Sequence, residues 1–177
     1  DFQSRFDPDT KNDFAEVVEG GLSVVAGNGA SRSVPAGNGL AVTADGGVIS
    51  EALLGPPALQ EPGRLQADNA VRFFALQASP VRYTIATDAS FIEQVADRIA
   101  PDGTAEFLEL PDGNYFLRAR AISSTGLQGM PATFTFKRRL NSITASAQSE
   151  DQGFAFRWRG EGKGTQLYHF QLFRSAI

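Results

Sequence analysis

Apolar stretches in this sequence are short, and glycine, proline or an Asp/Asn-rich turn interrupts each one before a helix of useful length can form. The 18 glycines and 9 prolines are spread along the whole chain. The runs between them are rich in Val, Phe, Ile and Thr and mostly alternate with polar residues. Alternation at period two sends successive side chains to opposite faces of a pleated strand, so the pattern predicts an all-β fold. Ser90 to Ile99 alone has apolar residues at helical spacing (Phe91, Ile92, Val95, Ile99), and it is read as an irregular edge strand. No run approaches the roughly 18–20 apolar residues that span a bilayer as a helix, so no transmembrane segment is expected in this chain.

Punctuation divides the chain into four stretches. Residues 1–52 read as hairpins: Phe2 to Phe6, Phe14 to Val18, Leu22 to Val25, Ala30 to Pro35, Leu40 to Thr43 and Val48-Ile49. Asp7 to Asn12 has turn composition, with Pro8 fixing φ and Asn12 tolerating the left-handed region. Two Gly-Asn-Gly triplets, at 27–29 and 37–39, are expected to supply positive φ angles. Residues 53–63 form a Pro-rich linker. Residues 64–140 carry strands with the spacing of a seven-stranded immunoglobulin-like sandwich, in which Val71, Phe73, Val81, Tyr83, Ile85, Phe107, Leu110, Tyr115, Leu117, Phe134 and Phe136 point inward. Residues 141–177 repeat its opening: Phe156 and Trp158 are spaced like Val71 and Phe73, and Tyr168, Phe170 and Leu172 like Val81, Tyr83 and Ile85. This second repeat is incomplete, so its aromatic residues lack a core of their own and an open strand edge is available for self-association.

Two segments carry a family resemblance. Leu110-Pro111-Asp112-Gly113-Asn114-Tyr115, followed by the alternating Leu117, Ala119 and Ala121, resembles the fibronectin type III pattern that leads into the sixth strand. There Tyr115 is the corner tyrosine, whose hydroxyl bonds to nearby backbone. The head of the chain resembles the closing part of a FecR domain, through Asp1-Phe2 with Arg5, the run Glu16 to Gly21 with Val24, and Ser33-Val34-Pro35-Ala36-Gly37-Asn38-Gly39-Leu40. The order, FecR end then Pro-rich joint then type III-like repeats, resembles a subset of FecR proteins that often carry a LysM module upstream. The resemblance covers the whole chain and implies a bacterial protein of the periplasm or cell surface, in envelope signalling or peptidoglycan-associated assembly. It brings no catalytic residues.

The chemistry-bearing residue types point the same way. The chain has no cysteine and one histidine, so disulfides, thiolate metal sites and Ser-His or Cys-His nucleophile systems are not expected, nor is any cofactor. That histidine, His169, alternates outward between Tyr168 and Phe170. Asp7, Asp9 and Asp13 lack the rest of a calcium loop, because Lys11, Asn12 and Val18 stand where an oxygen ligand, a glycine and a glutamate are needed. A hairpin turn is the reading for them, and surface charge for Glu106 and Glu109. Net charge is −4 overall; residues 1–62 hold nine acids and three bases, and the rest is nearly balanced. Nucleic acid is therefore not the expected partner.

One constellation suggests binding. With Tyr115, Leu117 and Ala119 inward, period two turns Phe116, Arg118 and Arg120 outward, and likewise Arg82, Lys137 and Arg139. A basic sheet face with one aromatic residue suits carboxylate or phosphate groups. The expectation is a non-catalytic envelope module that binds an anionic envelope polymer or another envelope protein. The alternative is a carbohydrate-binding or spacer domain appended to an enzyme elsewhere in the parent protein. Leu110, Tyr115, Phe73 and Trp158 are expected to be structural.

Overall fold

A computed structural model describes residues 1–25, 31–60, 62–77, 79–140, 142–162 and 167–171. The chain is all-β, and among the described residues no helix is long and apolar enough to cross a membrane.

The first body is built from β1 (Phe2–Asp7), β2 (Asn12–Val17), β3 (Gly21–Val25), β4 (Ser31–Pro35), β5 (Asn38–Val42) and β6 (Val48–Ala52). Four of these form an antiparallel sheet in the order β1-β2-β5-β6, and β3 pairs with β4 as a separate hairpin. The hairpin packs Leu22, Val24 and Val34 onto Val17, Leu40, Val42 and Val48. Phe14 to Val17 of β2 are all buried, because the hairpin covers Ala15 and Val17 while the second body covers Phe14 and Glu16. A strand covered on both faces loses the alternation of exposure that a one-sided strand shows.

Local turn chemistry differs from expectation in two places. In the first turn it is Lys11, not Asn12, that takes positive φ (56°). Asn12 instead starts β2, and its Oδ1 accepts the Ala44 N–H (3.1 Å), tying the β1–β2 turn to the β5–β6 turn. Asp7 Oδ1 accepts the N–H groups of Asp9 and Thr10, so this carboxylate caps the turn. Those bonds, Thr10's first and then Asp9's, hold its pKa below the usual range. Of the second glycine triplet, Gly37 has φ +74°, while Gly39 lies within β5 and is required by close packing. The first triplet lies outside the described residues.

The second body is the sandwich. Its strands are β7 (Leu65–Gln66), β8 (Val71–Phe74), β9 (Val81–Ala86), β10 (Gln94–Ala100), β11 (Thr104–Phe107), β12 (Gly113–Ala121) and β13 (Ala132–Arg138). A five-stranded sheet in the order β10-β9-β12-β13-β7 faces a β11-β8 pair. Between them lie Phe73, Tyr83, Ile85, Leu117 and Phe136, with Val71, Val81, Leu110 and Tyr115 closing the ends. β10 is an edge strand with a register shift between Gln94 and Ala96, as the sequence of that segment suggests.

The sandwich also draws in residues expected to be linker. Leu59 forms a β-bridge with Ala75, Gln60 N–H donates to Phe74 O (2.9 Å) and Leu76 N–H to Ala58 O (2.8 Å). Its first edge strand is thus split: residues 58–60 join the β8 side, and β7 joins β13 in parallel. Arg138, fully buried, holds the segment that follows β7. Its guanidinium donates to the carbonyls of Leu110 (3.0 Å), Asn69 (2.7 Å) and Asp68. Three carbonyl acceptors compensate the desolvation of a cation that would otherwise be excluded from the core.

β14 (Ser142–Glu150) and β15 (Gly153–Glu161) form a long antiparallel hairpin that pairs only with itself among the described residues. Phe170 stacks on Trp158 (5.3 Å between centroids) and tilts against Phe156 (5.5 Å). Residues 167–171 form no strand, contrary to the expected alternation around Tyr168 and Phe170, and Leu172 lies outside the described residues. Phe156 is 38% exposed and Trp158 50%, whereas Val71 and Phe73, their expected counterparts in the sandwich, are fully covered.

Tyr115 is buried and its hydroxyl donates to Pro111 O (3.0 Å). Tyr115→Phe is expected to lower unfolding free energy by about 1 kcal/mol, one hydrogen bond's worth, measured by urea denaturation. Tyr83, whose hydroxyl donates to Gly103 O (2.7 Å), has its pKa pushed up to about 12, mainly by burial and further by Asp102. The unfolded chain releases this proton near pH 10. Its contribution to stability is therefore complete below that pH and lost as pH rises towards about 12. Chemical denaturation along an alkaline series should show this loss, and Tyr83→Phe should diminish it.

Candidate binding face

The registers of β12 with its neighbours decide which outward residues meet. Arg120 lies opposite Arg82, Arg118 opposite Thr84 and Phe116 opposite Ala86. On the other side Arg118 faces Thr133, Phe116 faces Thr135 and Asn114 faces Lys137. Arg82, Phe116, Arg118, Arg120 and Lys137 therefore project from one sheet face. Arg139 lies beyond the end of β13, where its guanidinium donates to Gly113 O (3.2 Å) and Arg138 O (2.6 Å).

The face is not the open cluster of cations expected from alternation. Arg82 is committed to Asp97 through Nε (2.9 Å) and Nη2 (2.9 Å), and Thr84 Oγ1 donates to the same carboxylate. Arg118 lies 4.4 Å over the ring of Phe91. Phe91 is buried at positive φ (58°), in a turn whose Asp88 carboxylate accepts the N–H groups of Ser90, Ile92 and Glu93. Arg120, only 6% exposed, is the clear departure: it is buried, near Glu16 of the first body. Burial lowers the pKa of both Arg118 and Arg120, with Arg82 adding to the effect on Arg118 and Arg118 adding to that on Arg120. Asp97 opposes the first shift and Glu16 the second. Arginine starts so high that both stay charged at neutral pH. Lys137 is exposed, so the accessible cations of this face are Arg118 and Lys137, with Thr133, Thr135 and Phe116 between them.

Glu16 belongs to a joint that the alternation pattern does not reveal. The loop between β12 and β13 inserts into the first body, where Leu127 packs against Phe14, Ala41 and Leu53. A Cβ on Gly39 would stand 2.8 Å from Leu127 Cδ2 and 2.9 Å from Leu53 Cδ2, so a larger residue would push both leucines from their present packing. Glu16, fully buried, accepts the Gln128 N–H (3.1 Å) and Arg5 Nη2 (3.4 Å) on Oε1. Arg5 Nη2 also donates to Gly126 O (2.6 Å), and the guanidinium lies 3.9 Å over Phe14. Thr125 Oγ1 donates to Glu51 Oε1 (2.7 Å), and Met130 N–H to Leu54 O (2.8 Å). Glu16 Oε2 and Arg120 Nε and Nη1 are buried without a hydrogen-bond partner.

No protein-family model matches the chain, and no curated protein matches it. The site therefore has to be read from its own geometry. A signal for the joint did exist in the sequence: Glu16 shares its strand face with Phe14, and an acid on an apolar face needs a cation and a donor supplied from elsewhere.

Removing the acid from this joint takes the carboxylate from Arg5 and from the Gln128 N–H, and removes the charge that opposes the burial of Arg120. Glu16→Ala should cost about 3–5 kcal/mol, the usual effect of deleting one partner of a buried pair. Amide exchange at Leu127 and Gln128 should quicken in the same variant. A cost below about 1 kcal/mol would show that the joint does not couple the two bodies.

Proposed function

We propose that this chain is a non-catalytic module of a bacterial cell envelope, periplasmic or at the cell surface, that holds other components at a fixed geometry and binds anionic envelope polymer. The observation that carries this reading is the joint. A scaffold needs successive modules held in one orientation, and here a buried carboxylate, an arginine and an inserted leucine fasten the first body to the sandwich. The resemblance of the first body to a FecR domain end and of the sandwich to a type III repeat supports the envelope assignment. It rests on Ser33 to Leu40 and on Leu110 to Tyr115.

Arg118 and Lys137 are the residues of the basic face that remain accessible to a ligand, and the hydroxyls of Thr133 and Thr135 lie between them. Carboxylate or phosphate groups of a polymer would span the pair, with Phe116 offering apolar contact. Arg82 and Arg120 act from beneath, as parts of the Asp97 pair and of the joint.

Replacing Arg118 and Lys137 together by serine should weaken co-sedimentation with isolated peptidoglycan by about tenfold, while thermal unfolding shifts little. Retention of the unaltered protein should fall as salt rises, because exposed charges are screened over about 8–10 Å at physiological ionic strength. Equal retention of both proteins would leave a spacer role as the better account.

A further inference from the structure

Antiparallel pairs alternate between those that exchange backbone hydrogen bonds and those that do not. Val18 N–H donates to Asp1 O (2.9 Å), which makes Phe2↔Val17 a non-bonded pair in the β1–β2 register. By alternation Gln3, Arg5 and Asp7 bond to β2, and the N–H and C=O groups of Phe2, Ser4 and Phe6 point away from the sheet. β1 is the outer strand of that sheet, so among the described residues these groups form an open edge.

The same three residues turn their side chains towards an apolar groove of about 490 Å³ between the sheet and the β3–β4 hairpin. Leu22, Val24, Leu40 and Val42 line it, and Phe2 and Phe6 stand more than half exposed at its rim. A free edge and an apolar groove on one strand suit an extended chain, which pairs with the backbone and drops alternate side chains into the groove. Charge narrows the choice further. Asp7, Asp9 and Asp13 gather at the Phe6 end against the single base Lys11, and Asp13 lies directly across from Phe6. Arg5 offsets Asp7 only in small part, because its guanidinium turns to the joint, where it meets Glu16.

We propose that β1 is a docking edge for an extended strand of a partner protein, with apolar residues at alternate positions and basic residues at the end that meets Asp7, Asp9 and Asp13. The strand completes the sheet at Phe2, Ser4 and Phe6 and covers the two exposed phenylalanines. This site is separate from the Arg118–Lys137 face and does not depend on it.

The probe is a synthetic peptide of alternating valine and threonine with two lysines at one end, titrated into the full chain. Chemical shifts of the Phe2, Ser4 and Phe6 amides should move on binding, and those of Thr133 and Thr135 should not. Ser4→Pro removes only an outward N–H, which an edge strand tolerates, and should weaken binding by at least about tenfold at an unchanged melting temperature. Should that variant unfold, the double replacement of Phe2 and Phe6 by threonine, which keeps strand propensity, is expected to give a similar loss. A peptide with glutamates in place of the lysines should bind more weakly at low salt. Absence of binding, binding insensitive to these variants, or dimerisation of the protein through β1 in sedimentation equilibrium would each overturn the proposal.

Discussion

A buried carboxylate sets the relation between the two main bodies of this protein. Glu16 sits where β2 meets the loop after β12, and its Oε1 receives the Arg5 guanidinium from the neighbouring strand and the backbone N–H of Gln128, 112 residues away. In water such a group is content alone; in a covered site its charge requires close partners. Insertion of Leu127, glycine at position 39 and the turn of Arg5 towards Gly126 all serve to bring those partners in. Arg120 is buried near the same carboxylate, so an arginine that strand periodicity assigns to solvent becomes part of the interior.

The all-β class, most strand positions and the inward set of the sandwich were legible in the sequence, because alternation and turn residues are local signals. Tyr115 was legible for a similar reason, as its partner Pro111 is only four residues away. The misplaced residues depend on distant contacts. Arg138, which the reading of the sequence passed over, finds acceptors at Asp68 and Asn69 and disappears into the core. Gly39 looks like a turn glycine until Leu127 arrives against it. Lys11 takes the strained φ because Asn12 is required to bridge to Ala44. For the binding face, alternation named the residues that share a surface but not which of them would be occupied: Asp97, Phe91 and the first body each claim one arginine.

That division of labour explains how Arg82, Arg118 and Arg120 stand close together without a balancing row of acids. Like charges side by side on a sheet are unfavourable. Here one is neutralised by a bidentate carboxylate, one rests on an aromatic ring and one lies near Glu16. The electrostatic penalty is dispersed through three different kinds of contact, each supplied by a different element.

The split first strand of the sandwich gives the molecule a mechanical grain. The chain enters through β7 and leaves through β13, two strands that run parallel and are joined by Lys137 N–H to Arg64 O and Arg139 N–H to Gln66 O. Tension applied along the chain pulls these strands in opposite directions along their own length. Both hydrogen bonds are then loaded together in shear, whereas an antiparallel hairpin pulled at its open end peels one bond at a time. Arg138 acts as a rivet beside them, gripping the carbonyls of residues 68 and 69 from within the core. Among the described residues the β14–β15 hairpin has no such clamp, so under load it would peel before the sheared pair of the sandwich parts.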